Sequence, residues 1–170
     1  MSSDATSVRA YSGADQSELL RLLRQMYHDM HGVYGGTPPA LDLEWERRLL
    51  ASVERRLDRD IAIFVVEGEP GRLAALAGGR IGEGLPSPRR RHVGEGYIEW
   101  VVTDAPYRKR GYATAVTERL LEWFRETGAL SVSLNSSPAA EAMYTNLGFS
   151  ADGPKALSLR LDERHPGAPA

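Results

Sequence analysis

Apolar positions recur along this chain first at helical spacing and then at strand spacing. Ser7 to Tyr11 predicts a short strand. From Asp15 to Met30, Leu19, Leu20, Leu22, Leu23 and Met26 fall on one face of an amphipathic helix. Gly32 to Pro39 holds three glycines and two prolines and reads as a loop. A second helix is predicted over Asp42 to Leu57, with a stripe of Leu43, Leu49, Leu50, Val53 and Leu57. Ile61 to Val66 is a β-branched, apolar run of the kind that forms a buried strand. Turn residues over Glu67 to Arg72 join it to a strand over Leu73 to Ile81, as a hairpin. Gly82 to Gly94 is a Gly/Pro/Arg loop, Tyr97 to Val102 a strand, and Gly111 to Glu126 a helix carried by Ala113, Val116, Leu120, Leu121 and Phe124. Leu130 to Leu134 predicts a strand, Pro138 to Asn146 a short helix and Ala156 to Leu161 a last strand. The order β α α β β β α β α β predicts a mixed α/β sheet with a strand–loop–helix crossover over Val102 to Thr114.

A length of 170 residues suits one domain, with a core over about residues 8–161 and disordered ends. No apolar run approaches the roughly 18 residues that span a bilayer, and Met1 to Ser7 is polar, so a cytoplasmic protein is expected. The chain has no cysteine, which excludes disulfides, thiolate zinc sites and a cysteine acyl-enzyme. A net charge of -2 offers no global attraction to nucleic acid or an anionic membrane. The four histidines show no ligand spacing, and no metal is expected.

The chemistry concentrates in Arg108-Lys109-Arg110-Gly111-Tyr112-Ala113. The first turn of a helix leaves backbone N–H groups unpaired, and its dipole favours negative charge. A diphosphate there meets both demands. Gly111 permits close backbone approach, Ala113 stays small, and three cationic side chains precede them. A Walker A loop would require Gly-Lys-Ser/Thr and a dinucleotide fingerprint three spaced glycines, and neither is present. By itself the hexapeptide is read equally well as a basic turn capping a surface helix.

One strand and one helix downstream lies a second segment, Leu134-Asn135-Ser136-Ser137-Pro138 followed by Tyr144-Thr145-Asn146-Leu147-Gly148-Phe149. Together the two segments resemble the GNAT N-acetyltransferase family: Val102 to Ala113 is similar to its Arg-x-x-Gly-x-Ala loop and helix, and Ala142 to Phe149 to its Tyr-x-x-Leu-Gly-Phe element. Pro86-Ser87-Pro88 and Gly96-Tyr97 resemble a bacterial group within it. The resemblance covers about residues 8–161. It implies a central mixed sheet with splayed parallel strands, about four flanking helices, and acetyl-coenzyme A as the acyl donor. The pyrophosphate then falls on Arg108, Lys109, Arg110, Gly111, Tyr112 and Ala113, with Thr114 beside it. Val101, Val102 and Thr103 run along the pantetheine arm, with Leu134 and Asn135 on the opposite strand. A homodimer is common among such proteins.

Without a cysteine, the implied reaction is direct attack by an amine. The ammonium must lose a proton and the departing thiolate must gain one. Tyr144 is the candidate acid, a phenol of reference pKa ~10 facing a thiol near ~8.5; the alternative is a residue that packs and hydrogen-bonds the sulfur. Glu99 is the candidate base, or else one half of an ion pair with an arginine. Trp100 follows it where related sequences place asparagine. Ser137 is expected to N-cap the helix that opens on Pro138, and Asn135 either meets the pantetheine or closes a strand end. Acceptor binding in the family comes from the first two helices, where Tyr27, His28, Asp29, His31 and Tyr34 gather; they form either a solvated face or a site for a cationic amine with Asp29 as counter-charge. Arg89-Arg90-Arg91-His92 is a solvated loop, or a contact for the ribose phosphate or an anionic acceptor. The leading expectation is an N-acetyltransferase acting on a small-molecule or peptide amine. The others are an acyltransferase using a longer acyl-CoA or a charged tRNA, and a non-catalytic coenzyme A sensor.

Overall fold

The computed structural model describes residues 7–36, 39–86, 88, 94–151 and 157. Five strands, β1 (Val8–Ala10), β2 (Ile61–Glu67), β3 (Leu73–Glu83), β4 (Gly94–Thr103) and β5 (Ala129–Ser133), lie in that order in one sheet. β1 to β4 pair antiparallel, and β4 and β5 pair parallel. Four helices flank them: α1 (Gln16–Tyr34), α2 (Leu43–Arg56), α3 (Tyr112–Glu126) and α4 (Glu141–Asn146). The mixed sheet and four helices expected from the periodicity are both present. Of the expected strand over Ala156 to Leu161 only Leu157 is described, and the Arg89 to His92 run and the chain ends fall outside the described residues.

β2 is apolar throughout because both of its faces are covered. Ile61, Ile63 and Val65 join the core under α1 and α2, while Ala62, Phe64 and Val66 join the core under α3. This is the period-two alternation of a strand sandwiched between helices. On the α3 side β3 is shaved down to Ala75, Ala77 and Gly79. A Cβ at Gly79 or Gly96 would come within 2.7 Å of the Phe124 ring, so that ring rests directly on backbone. Small residues there let α3 approach the sheet, and Val116, Leu120 and Phe124 are buried as a result.

Three boundaries differ from expectation. α1 runs through Gly32 to Tyr34 and stops where Gly35 and Gly36 adopt φ values of 68° and 89°. A single glycine costs a helix only about 1 kcal/mol and is tolerated near its end, whereas two consecutive glycines at positive φ end it. α4 begins at Glu141 and not at Pro138, because the Ser137 carbonyl accepts from the Ala140 amide and closes a turn first. Ser137 is therefore not the N-cap. β4 extends over Gly94–Thr103, longer at both ends than its apolar stretch, because β3 pairs with it throughout.

A buried carboxylate holds the end of β4. The Asp104 side chain is 3% exposed; Arg72 donates to it at 2.7–2.8 Å and Arg21 approaches at 3.1 Å. The Asp104 amide donates to Ala74. Arg21 also pairs with Glu18, which accepts from the Leu73 amide at 2.9 Å. One network thus joins α1, the start of β3 and the end of β4. Burial pushes the Asp104 carboxyl up, but hydrogen bonds from Arg72 and Arg21 outweigh it and hold it below its ordinary value. A depressed carboxylate contributes stability above its unfolded pKa and loses it as pH falls through the folded one. Asp104→Asn is expected to lower stability at neutral pH by about 2–3 kcal/mol and to flatten the loss of stability below about pH 4. Denaturant titrations of both proteins at pH 7 and pH 3.5 check this; identical acid limbs would contradict it.

Candidate functional site

Between β4 and α3 the chain forms a 3-10 turn over Ala105–Tyr107 and then the basic loop. Lys109 and Gly111 both take left-handed φ, at 61° and 81°, and Gly111 is the N-cap of α3. The Gly111 carbonyl starts the helix by accepting from Ala115, which leaves the amides of Tyr112, Ala113 and Thr114 ahead of the ladder. Arg108, Lys109, Arg110 and Gly111 are exposed, while Tyr112, Ala113 and Thr114 are half-buried. A Cβ on Gly111 would meet nothing within 4 Å, so the loop is open at that position. Free donors and a helix dipole meet at this exposed spot beside Lys109, while Arg108 pairs with Asp29 and Arg110 lies over the Tyr107 ring, an arrangement that suits an anion.

Beside the loop the two parallel strands part. β4 and β5 pair from Gly94 and Ala129 only as far as Tyr97 and Ser133. Beyond that, β4 continues through Ile98 to Thr103 with no partner on that edge among the described residues. Six residues at ~3.3 Å each make an unpaired edge of ~20 Å. Val101, Val102 and Thr103 lie on it. At the fork, Asn135 donates from Nδ2 to the Tyr97 hydroxyl at 2.9 Å, so it ties the segment after β5 to β4. Thr103 closes the far end: its carbonyl accepts from Gln25 at 3.1 Å and from Arg108 at 3.3 Å, while its buried hydroxyl has no partner among the described residues.

Glu99 sits in a β-bulge. Gly78 pairs with Trp100 and Gly79 with Ile98, which leaves Glu99 as the extra residue in β4. Its carboxylate accepts from Arg80 Nε at 2.5 Å, the ion-pair alternative of the sequence reading. Tyr144 is buried in α4, with its ring edge-on to Phe149 at 5.6 Å. Its hydroxyl has no hydrogen-bond partner among the described residues, and burial raises its pKa to about 12.

The α1 residues are drawn toward the loop. Arg108 donates to Asp29 at 2.6 Å, and the Tyr34 hydroxyl reaches the Ser136 carbonyl at 3.5 Å. Asp29 is thus paired with a loop arginine. Tyr27 packs edge-on against Trp45 at 6.0 Å, His28 is exposed beside Asp29, and His31 has a buried Nδ1 with no partner. Ser137 stands in the turn before α4, away from any helix end. Among the described residues no group of three or more His, Asp or Glu gathers as for a metal, and no helix is long and apolar enough to cross a membrane.

Sequence reasoning missed Gln25, Asp104, Arg80 and Ser52. A pocket of about 150 Å³ lies between α2 and the sheet, and Ser52, Arg56, Arg80, Glu99 and Trp100 reach it from three elements. Only Asp104 left a signal in the chain, an acidic residue at a strand end immediately before a basic loop.

Known proteins share this architecture. A predicted acetyltransferase of Clostridium acetobutylicum, crystallised with acetyl-CoA, superposes with a TM-score of 0.75 at 23% identity over 94% of this chain and 98% of that one. A Trypanosoma brucei acetyltransferase does so with a TM-score of 0.67 at 28% identity, over 91% and 99%. By sequence, an uncharacterised acetyltransferase of Streptococcus pyogenes is 36% identical over 63 residues, or 37% of this chain and 44% of that protein. A rice protein named as a probable glucosamine 6-phosphate N-acetyltransferase is 41% identical over 54 residues, 32% of each. The matched stretches therefore span less than half of these curated relatives. The model of the acetyltransferase (GNAT) family, by contrast, matches residues 19–149, from the first buried leucine of α1 to the Phe149 ring against Tyr144. Because that match takes in the loop, the parted strands and α4 together, the chain belongs to the GNAT acetyltransferase family.

Proposed function

We propose that the protein is an acetyl-CoA-dependent N-acetyltransferase that moves the acetyl group to an amine by direct attack. The observation that carries this reading is the exposed N-terminus of α3, with its free amides and left-handed Lys109 and Gly111, opening beside the unpaired edge of β4. The acetyl-CoA bound to the Clostridium acetobutylicum protein of the same fold supports it.

In this reading the Tyr112, Ala113 and Thr114 amides, with Arg108, Lys109 and Arg110, hold the pyrophosphate. The β4 edge at Val101, Val102 and Thr103 holds the arm as a partial strand partner, with Asn135 and Ser137 across the opening. Acetyl-CoA supplies an activated thioester. The amine nitrogen bonds to the acetyl carbon, the carbon–sulfur bond breaks, and the ammonium gives up two protons, so one ends in solvent and one on sulfur. Glu99, at the bulge, takes the first directly or through water.

Tyr144 stabilises the leaving sulfur. Burial raises its pKa to about 12, so it stays protonated and acts as a donor. Full transfer of its proton to a thiolate of pKa near ~8.5 is unfavourable. Tyr144 therefore holds a hydrogen bond to the sulfur as charge builds there, and the sulfur takes its proton from solvent. Tyr27, His28, Asp29, His31 and Tyr34 border the acceptor's approach from α1.

Acetyl-CoA is expected to bind in the micromolar range by calorimetry, and absence of heat together with absence of a thermal shift would refute the reading. Gly111→Asp sets charge and bulk against the pyrophosphate and is expected to weaken binding about 100-fold. Tyr144→Phe is expected to lower kcat about 100-fold with KM within about twofold; unchanged turnover removes the donor role. The raised phenol also affects stability. A group whose folded pKa exceeds its unfolded value stabilises below pH ~10 and loses that contribution as pH rises through the folded pKa. Melting curves from pH 9 to 11.5 are expected to fall more steeply for the native protein than for Tyr144→Phe.

A further inference from the structure

We propose that the pocket between α2 and the sheet seats the acceptor, and that the acceptor is an α-amino acid with an apolar side chain about the size of a benzene ring. This rests on the acetyltransferase reading and names the substrate class for it.

The pocket holds about 150 Å³, the size of a cavity that takes up one benzene. Its walls are Leu49 and Val53 from α2, Ile63 from β2 and the Trp100 indole. The indole lies flat on the sheet because a Cβ at Gly78 would come within 2.7 Å of it. Aliphatic and aromatic walls of this size select a compact apolar group and give a sugar or a polyamine nothing to bury against.

Charge at the rim selects the rest. Arg80 and Glu99 line the pocket and meet through one hydrogen bond, Nε to Oε1. Among the described residues, neither terminal nitrogen of Arg80 nor Oε2 of Glu99 has a hydrogen-bond partner. Both side chains are about 40% exposed, at 44% and 38%, so the pair is solvated and yields to a better-fitting ligand. The other lining arginine, Arg56, is held by both oxygens of Asp60 at 2.6–3.1 Å. The rim therefore offers one vacant acceptor for an ammonium beside one vacant fork for a carboxylate. An α-amino acid places its ammonium, carboxylate and side chain on a single carbon and meets Glu99, Arg80 and the apolar walls together. A plain amine leaves Arg80 unanswered, and a polyamine sets like charge against Arg80 and Arg56.

The location agrees. Glu99 stands two residues beyond the last β4–β5 pair, ~7 Å into the unpaired edge. An ammonium on Glu99 thus waits at the root of the opening. Its nitrogen forms the amide bond as the carbon–sulfur bond breaks; the two ammonium protons leave through Glu99 or water, and sulfur takes one proton from solvent while Tyr144 hydrogen-bonds to it.

The test measures thiol release by the full chain with acetyl-CoA and each of L-leucine, L-phenylalanine, isoamylamine, phenethylamine, glucosamine 6-phosphate and spermidine. The two amino acids are expected to show kcat/KM at least about 10-fold above their decarboxylated amines and above the two polar amines. Arg80→Gln is expected to erase the preference over the decarboxylated amines. Ser52→Phe fills the pocket from a half-buried position on α2. It is expected to raise KM for leucine about 10-fold while acetyl-CoA affinity, read by calorimetry, stays within about twofold. Preference for glucosamine 6-phosphate or spermidine, or an unchanged leucine KM in Ser52→Phe, overturns the amino-acid assignment and leaves the acetyltransferase reading standing. Absence of acetyl-CoA binding overturns both.

Discussion

A negative charge buried at the end of β4 holds this molecule's working parts in relation to one another. Asp104 is almost fully covered, and a carboxylate so placed must be answered by cations. Arg72 comes from the start of β3 and Arg21 from α1, and both are drawn to one oxygen. Their convergence keeps β4 on β3 while the chain turns away from β5 into the 3-10 turn and the loop. The loop's left-handed residues and the free amides of α3 follow within ten positions of that anchor. The opening between β4 and β5 is thus the consequence of a strand held firmly on one side and released on the other.

The same opening divides the candidate site into two halves of different physical character. The loop half is exposed, cationic and made of backbone donors, so it suits a highly charged ligand that brings its own rigidity. The α2 half is a small apolar recess whose charges are confined to its rim. Glu99 belongs to the second half because a bulge turns it out of the strand's alternation, and Trp100 follows it onto the α2 side. One extra residue in β4 is what brings a carboxylate, an indole and Arg80 to a common rim.

Much of this was legible in the chain. The run from Ile61 to Val66, apolar at every position, announced a strand with helices on both faces, and the leucines of α1 and the stripe of α3 announced those helices. The loop and the Tyr144 segment pointed to coenzyme A through resemblance, each being local in sequence. What escaped was non-local. Arg80 and Glu99 are 19 positions apart and meet only through the β3–β4 register, while Ser52 reaches the same pocket from a helix. The Asp29–Arg108 pair spans 79 positions and forms only where α1 and the loop before α3 come together in the fold. Ser137 misled because Ser-Pro has the chemistry of a helix start, and the turn closed by Ala140 delays that start by three residues.

Phe124 resting on bare backbone has a mechanical meaning. It lies 12 residues along α3 from Tyr112, or ~18 Å at 1.5 Å per residue. The ring's seat on Gly79 and Gly96 sets the height of the helix at one end, and the helix carries that height as a rigid lever to the loop at the other. A methyl group added beneath the ring, far from any reacting atom, would tilt the lever and displace the amides at its tip. Two glycines with no chemistry of their own thereby act as the alignment stops of the loop before α3.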